Sequence, residues 1–180
     1  MRSIPRVVRS WLLLVGAFAV GLKAADRVPA LMAGTPHGAR IYATVAEAEH
    51  AVGAKIWVPA YYPDTMAWPP ARIDLWPGPP TSVALRILGR VDGRERLVLV
   101  QSLHTPASPP DVLLPAVYVL TTNAVIVGRH PATLTRVLAP SGQLLHDVWW
   151  DQGPRRLTLR YSGPVEELIL IATSLERMHR

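Results

Sequence analysis

Apolar and polar residues alternate along most of the chain after Arg72, and a period of two predicts β-strands. Residues 91–94 (V-D-G-R) form a typical hairpin turn between two of the runs. Thr122 and Asn123 separate two later runs. The runs predicted as strands are 73–75, 83–87, 97–101, 117–121, 124–127, 133–138, 145–150 and 156–161, and a short β-type run at residues 55–58, which Pro59 ends, precedes them.

Two segments have the apolar period of an α-helix instead. Residues 44–47 (T-V-A-E) form a capping box, in which the Thr44 side chain caps the helix and Glu47 returns a bond to its backbone. Gly53 supplies the left-handed residue that ends this helix. Near the carboxyl end, Pro164 occupies the first position of a second helix. The apolar stripe of this second helix consists of Val165, Leu168, Ile169, Ala172 and Leu175.

The order of these elements is a helix, about seven or eight strands, and a helix, with no β-α-β alternation. This order predicts an α+β fold with an antiparallel, curved β-sheet, a short N-terminal helix and a C-terminal amphipathic helix packed on the sheet. Leu168, in the middle of the apolar stripe, is expected to lie in the core between that helix and the sheet.

The first 25 residues have the layout of an export signal. Arg2, Arg6 and Arg9 precede 12 consecutive apolar residues, and Lys23 closes the run. A signal peptide has a basic start followed by about 7–15 apolar residues, whereas a membrane-spanning helix usually needs about 20. Residues 23–25 (K-A-A) and 31–33 (L-M-A) only approximate a cleavage site. Both a cleaved signal peptide and an uncleaved signal anchor with a transmembrane helix therefore stay open.

In either case the basic start stays in the cytoplasm and the rest of the chain is extracytoplasmic, secreted or anchored to the cytoplasmic membrane. An ordinary buried helix is the third interpretation, but the residues before the apolar run supply no polar helix face. Residues 26–40 contain prolines and glycines without any period and are predicted to be a linker. Residues 41–180 are then one domain, a length that suits a single core.

The distribution of the net charge of +6 and the absence of cysteine each exclude some classes of function. Four of the 19 basic residues and none of the 13 acidic residues lie in residues 1–25, so the remainder is close to neutral. Its basic residues form no cluster interleaved with aromatic residues, which argues against nucleic acid as a partner. Without cysteine the chain cannot form a disulfide, a thiolate zinc site or a lipid-modified amino-terminal cysteine.

No catalytic motif occurs, so we expect a protein that is not an enzyme and has no cofactor. The six histidines are scattered without an H-E-x-x-H motif, and the chain has no G-x-S-x-G sequence and no phosphate-binding glycine loop. Glu47 and His50 have the spacing of a helical metal-binding pair. The capping box already explains Glu47, however, and exposed helix surface explains His50.

Aromatic residues in the proline-rich residues 59–80 are candidate contacts for a ligand or partner. They are Tyr61, Tyr62, Trp68 and Trp76. Such rings can stack on sugars or hold an extended peptide. The alternative is that they pack on the edge of the sheet within a loop that proline stiffens.

Trp149 and Trp150 are neighbours on a predicted strand. Side chains alternate between the two faces of a strand, so one indole should enter the core and the other should face outward. The outward tryptophan is a further candidate contact. Trp150 is named as that contact, but alternation alone leaves open which of Trp149 and Trp150 faces the core.

Three segments resemble a family of uncharacterised bacterial extracytoplasmic domains. They are residues 46–63 (A-E-A-E-H-A-V-G-A-K-I-W-V-P-A-Y-Y-P), 127–134 (V-G-R-H-P-A-T-L) and 148–175, from V-W-W-D-Q-G through V-E-E-L-I-L-I-A-T-S-L. The first looks like the family's short helix, glycine, strand and P-x-x-x-P turn, and the third resembles its closing strand with tryptophan, hairpin and terminal helix. The family occurs on the outer side of anti-sigma-factor-like membrane proteins and in secreted or lipoprotein forms.

The resemblance implies a cell-envelope domain of unknown function, with no established reaction. Distant look-alikes are lipoprotein-sorting and envelope-stress regulatory proteins, whose curved sheets can cover apolar ligands. Without a cysteine-based zinc segment, this chain would be the stand-alone form. We therefore expect a partner-binding or envelope-sensing domain whose partner is an envelope protein. The alternative is a carrier that holds an acyl chain or another apolar ligand between the sheet and the C-terminal helix.

Overall fold

The computed structural model of the chain describes residues 38–177; the predicted signal segment 1–25 and most of the predicted linker 26–40 lie outside the described residues. The α+β class is confirmed, because residues 38–177 form one eight-stranded antiparallel sheet and two helices. The elements are β1 (Arg40–Tyr42), α1 (Val45–Val52), β2 (Arg72–Trp76), β3 (Ser82–Leu88), β4 (Glu95–Ser102), β5 (Tyr118–Val127), β6 (His130–Leu138), β7 (Leu144–Gln152), β8 (Arg155–Tyr161) and α2 (Val165–Arg177).

The sheet consists of two sets of four strands, β1 to β4 and β5 to β8, and within each set the strands pair in chain order. The two sets join where β4 pairs with β8, so β1 lies at one edge of the sheet and β5 lies at the other. The connection from β4 to β5 must therefore pass β8, β7 and β6. We call this connection, residues 103–117, the strap loop. It contains four prolines, which cannot donate to a strand ladder, and it forms neither helix nor strand.

One face of the sheet carries the main hydrophobic core, and we call it the helix-covered face. Every second side chain of the central strands points to it, and α2 contacts it through four fully buried residues. These are Leu168, Ile171, Ala172 and Leu175. The predicted place of Leu168 in the core is confirmed. Helix α1 and residues 53–71 cover the rest of this face through Ala48, Ile56 and Met66.

The opposite face is covered only in part, by the strap loop, and we call it the strap-covered face. Leu113 and Leu114 of the loop pack on Ala84, Val98 and Val100 of β3 and β4. This second cluster is much smaller than the main core. The part of the face formed by β5, β6 and β7 is left more open, and it contains the groove described below.

Local signals place the ends of both helices. Thr44 Oγ1 accepts a hydrogen bond from the Glu47 N–H, and the Glu47 carboxylate accepts one from the Ala43 N–H, both at 3.2 Å. The predicted capping box is confirmed, with the return bond one residue earlier than the cap. Gly53 ends α1 in the left-handed region, at φ 66°. Before α2, a side chain on Gly163 would overlap the Tyr161 ring, so a larger residue there would have to displace that ring.

Residues 55–58 do not form the predicted strand. The Trp57 N–H donates to the side-chain amide of Gln101 at 2.9 Å, and that amide donates back to the Trp57 carbonyl at 2.6 Å. Arg155 donates to the Lys55 carbonyl at 2.6 Å. Side chains of β4 and β8 therefore replace the neighbouring strand that this β-type sequence would otherwise need.

The prediction of two strands around Thr122 and Asn123 is also wrong, because β5 runs without a break over ten residues. The hairpin turn lies at residues 128 and 129 instead, where Gly128 has φ 60° and Val127 pairs with His130. At the start of the domain, β1 includes Arg40, which the sequence assigned to the linker.

Candidate functional site

The four aromatic residues predicted as contacts within residues 59–80 do not converge on one surface. Tyr62 and Trp68 stack on each other with ring centroids 5.3 Å apart, and both pack against the main core. Trp76 packs against the small cluster of the strap-covered face, on the other side of the sheet. Tyr61 is exposed. Packing therefore accounts for three of these rings, and they form no common site.

The prediction that Trp150 is a surface contact is wrong. Trp150 is 1% exposed and lies in the main core, on the same side of the sheet as its cross-strand neighbours Ala132 and Leu157. Trp149, half-buried, points to the strap-covered face instead. The predicted alternation of the two indoles is confirmed, but the outward one is Trp149.

A groove of about 280 Å³ lies on the strap-covered face, between the strap loop and the sheet. Its floor is formed by β6, β7 and β8, one wall by the strap loop, and one rim by Val119 of the edge strand β5. Its lining is mostly apolar. The lining residues are Ser108, Pro109, Leu114, Val117, Val119, Thr135, Val137, Asp147, Trp149, Arg156 and Thr158.

Trp149 is held in place within the groove by Arg156. The Arg156 guanidinium lies 4.4 Å from the centroid of the indole, a cation–π contact. Its Nε and Nη2 donate to the two carboxylate oxygens of Asp151 at 2.6 and 2.8 Å. These hydrogen bonds hold the pKa of Asp151 below its usual range. Asp151 thus fixes Arg156, and Arg156 fixes the aromatic part of the floor of the groove.

The buried carboxylate of Asp147, in the floor of the groove, anchors one end of the strap loop. Arg160 donates to both Asp147 oxygens, at 2.9 and 2.7 Å, and its Nη1 donates to the Pro115 carbonyl at 2.6 Å. A bidentate arginine of this kind has little rotational freedom. The loop backbone is therefore tied to the sheet beside the groove.

A second buried carboxylate, Asp74, anchors the loop nearer its centre. Arg86 Nε donates to Asp74 at 2.8 Å and Arg86 Nη2 donates to the Leu113 carbonyl at 2.9 Å. Arg86 also bonds to Glu95 at 2.8 Å. Burial alone would lower the pKa of Arg86, but Glu95 and Asp74 outweigh it and raise that pKa, so the guanidinium stays charged under the loop.

This arrangement suits binding rather than proton transfer. The charged lining residues Asp147 and Arg156 are each paired inside the domain. Within residues 38–177 no three His, Asp or Glu side chains lie close enough together to hold a metal ion. The chemistry that the groove offers is apolar contact, aromatic stacking on Trp149 and the hydroxyl groups of Ser108, Thr135 and Thr158.

Reasoning from the sequence missed most of the groove, including Val119, Val137 and Arg156. These residues lie on three different strands and in no motif. The alternation within each strand was visible and showed which residues share a face. The path of the strap loop across β8, β7 and β6, which forms the wall of the groove, was not visible, because it depends on the pairing of β4 with the distant strand β8.

No family model matches the chain, and no curated protein and no solved structure matches it. Neither of the two described helices is long and apolar enough to cross a membrane.

Proposed function

We propose that this chain is an exported cell-envelope domain that binds an apolar, extended segment of a partner protein in the groove of the strap-covered face. It would belong to the extracytoplasmic family that its sequence resembles. The observation that carries the binding proposal is the groove itself, an apolar concavity with a fixed indole in its floor and a proline-rich loop tied down as its wall.

The size and charge of the groove favour a protein segment. About 280 Å³ is at the lower end of pockets that enclose small molecules, roughly 300–1,000 Å³, and it suits a few apolar side chains better than a whole lipid. Since both charged groups in the lining are already paired, the groove leaves no uncompensated charge for a ligand to neutralise. An uncharged apolar segment loses the least hydration on entering it.

The carrier alternative requires space between the sheet and α2. In that interface the side chains of α2 and of the central strands, Trp150 among them, are buried against one another in one cluster. No observation on the described residues therefore favours an acyl chain at that place. The export part of the proposal is supported by the sequence of residues 1–25.

Site-specific photocrosslinking in bacteria tests the binding proposal on the full chain. A benzophenone amino acid placed at Ser108 or Val117, in the wall of the groove, should give one discrete adduct with a heterologous protein. The same probe at Leu170, exposed on α2, or at Tyr61 should not. Adducts of equal yield from all four positions would show that the groove is not the binding site.

Two tryptophan variants sharpen this experiment. Trp149→Ala removes the floor of the groove and should abolish the adduct. Trp57→Ala is the matched control, because Trp57 also carries a cation–π contact, with Arg155 at 5.0 Å, but lies against the helix-covered core. Unchanged crosslinking in Trp149→Ala would refute the role of the groove. A carboxyl-terminal reporter that is active only outside the cytoplasm tests export, and an inactive reporter on a fusion that is produced at full length would contradict it.

A further inference from the structure

The edge strand β5 is unusual among the strands of this sheet. It is ten residues long and pairs, among the described residues, only with β6. Several of its apolar side chains face solvent: Tyr118 and Ile126 are 69% exposed and Val119 is 64% exposed, whereas Val127 is buried in the main core. A long edge strand of this kind presents a row of backbone donors and acceptors to any strand that can align with it.

Charge also distinguishes β5 from its neighbours. Each of the seven other strands contains at least one Asp, Glu or Arg, whereas β5 (Y-V-L-T-T-N-A-V-I-V) contains no charged residue, no proline and no glycine. Charges, prolines and bulges are the usual means by which edge strands avoid pairing. Of these, β5 has only a bulge, where its register with β6 shifts between Val119 and Thr121. Among residues 38–177, nothing of this kind protects the regular segment 121–127.

The opposite edge of the sheet is protected. Strand β1 has three residues and carries Arg40. A contact from β5 of one copy to β1 of the next would be short and would propagate without end, whereas a contact from β5 to β5 uses the same surface twice and closes. An uncharged strand suits this second arrangement, because no side chain meets its own charge across the two-fold axis.

We propose that β5 is a homodimerisation edge, at which two copies of the chain pair antiparallel through residues 121–127 to form one continuous sixteen-stranded sheet. The middle residue of this segment is Ala124, so the two-fold axis passes near it, perpendicular to the sheet. A two-fold axis perpendicular to the sheet maps each face of the sheet onto itself. The strap-covered faces of both copies therefore lie on the same side, with their grooves side by side. Dimerisation rests on β5 alone and does not depend on the proposed function of the groove.

A single ladder between two edges is a small interface, so the dissociation constant should be on the order of micromolar. Sedimentation of the purified full chain, in detergent if it stays with the membrane, should show a monomer–dimer equilibrium in that range. Thr122→Lys, on an exposed β5 position, should raise the dissociation constant about tenfold or more, because each copy then carries a lysine within the paired segment, and a charged side chain on an edge strand opposes pairing. Leu170→Lys, equally exposed on α2, should leave it unchanged.

The natural absence of cysteine allows a direct geometric test. Single cysteines at Thr122, Asn123 and Ala124 can be oxidised in the full chain, since partners across an antiparallel pair lie within the Cα separation that a disulfide requires. The yield of covalent dimer should peak at one of the three positions and be absent for Ile41→Cys on β1 and Leu170→Cys on α2, both exposed.

Several results would overturn the dimer. A monomer at every concentration up to about 100 μM, a dimer that Thr122→Lys does not weaken, or equal crosslinking at all five cysteine positions would each do so. The groove experiment is independent of these outcomes. Crosslinking from Ser108 to another protein can succeed in a strictly monomeric chain, and loss of the dimer in Thr122→Lys leaves Trp149 in place.

Discussion

The two faces of the sheet bury their side chains by different means. On the helix-covered face, α2, α1 and residues 53–71 enclose one continuous apolar core. On the strap-covered face, the loop has only Leu113 and Leu114 to bury, and buried ion pairs tie it to the sheet. Apolar burial is non-directional and roughly proportional to area, whereas ion pairs fix geometry and contribute little net stability. The first face therefore accounts for stability and the second for a shaped surface.

The largest expected effect is on the helix-covered face. Leu168→Asp puts an unpaired carboxylate into the main core and should cost about 4 kcal/mol or more of the free energy of unfolding. Leu170→Asp, two residues away on the exposed side of α2, should cost less than about 0.5 kcal/mol. Urea denaturation measures both. Similar losses for the two variants would show that α2 does not pack on the sheet by its Leu168 face.

The second-largest effect on the free energy of unfolding should come from removing Asp74, a buried carboxylate of the strap-covered face. Asp74→Ala leaves Arg72 and Arg86 without their shared partner and should cost about 2–4 kcal/mol, below the loss for a fully buried pair because both guanidiniums keep some exposure and Arg86 keeps Glu95. Glu95→Ala removes the exposed partner of the same guanidinium and should cost less than about 1 kcal/mol. A greater loss for Glu95→Ala would reverse the assignment of Asp74 as the anchor.

A variant of Asp147, the second carboxylate that anchors the strap loop, should have a local effect. Asp147→Asn weakens the ion pair that orients Arg160 toward the Pro115 carbonyl, so the strap loop should open more often while the core stays intact. Hydrogen exchange of the Leu113 and Leu114 amides, which bond to Pro110 within the loop, should become about tenfold faster, equivalent to about 1.4 kcal/mol. Amides of α2 should keep their rates. Acceleration in both regions would indicate global destabilisation instead.

The smallest effect should be the acid response of the groove. Arg156 lowers the pKa of Asp151, so this pair stabilises the folded state above the ordinary aspartate pKa of about 3.9 and loses that contribution as the pH falls through the lower folded value. Because both side chains keep partial exposure, 21% for Arg156 and 41% for Asp151, solvent screens the pair and the loss should stay under about 1 kcal/mol. An NMR titration should place the Asp151 midpoint below 3.9 and return it to the ordinary range in Arg156→Gln. A midpoint that Arg156→Gln does not move would assign the shift to another group.

Short-range features of the fold could be predicted from the sequence. The capping box at Thr44, the Gly53 end of α1, the turn at 91–94 and the apolar stripe of α2 each depend on residues a few positions apart. The errors came where a distant partner intervened. Gln101 and Arg155 replace a strand neighbour at residues 55–58, and pairing with β6 keeps β5 continuous through Thr122 and Asn123.

The candidate site was harder to predict for the same reason. Tyr61, Tyr62, Trp68 and Trp76 are close in sequence but lie on opposite sides of the sheet. The groove brings together residues of the strap loop and of four successive strands, from Ser108 to Thr158, and no local pattern links them. The pair Trp149 and Trp150 shows what a local sequence pattern can predict and what it cannot. Alternation predicts that the indoles separate, and only the neighbouring strands decide which of them is buried.

The sequence by itself determined the class of the fold, the ends of its helices, the period of its strands and the composition of the uncharged strand β5. Those properties follow from backbone preferences and side-chain spacing within a few residues. The tertiary structure decided that β5 lies at an edge, that the strap loop crosses three strands, and that Asp74 and Asp147 are buried beneath it. Strand order is set by the burial of surfaces from distant parts of the chain, and no local pattern records that balance.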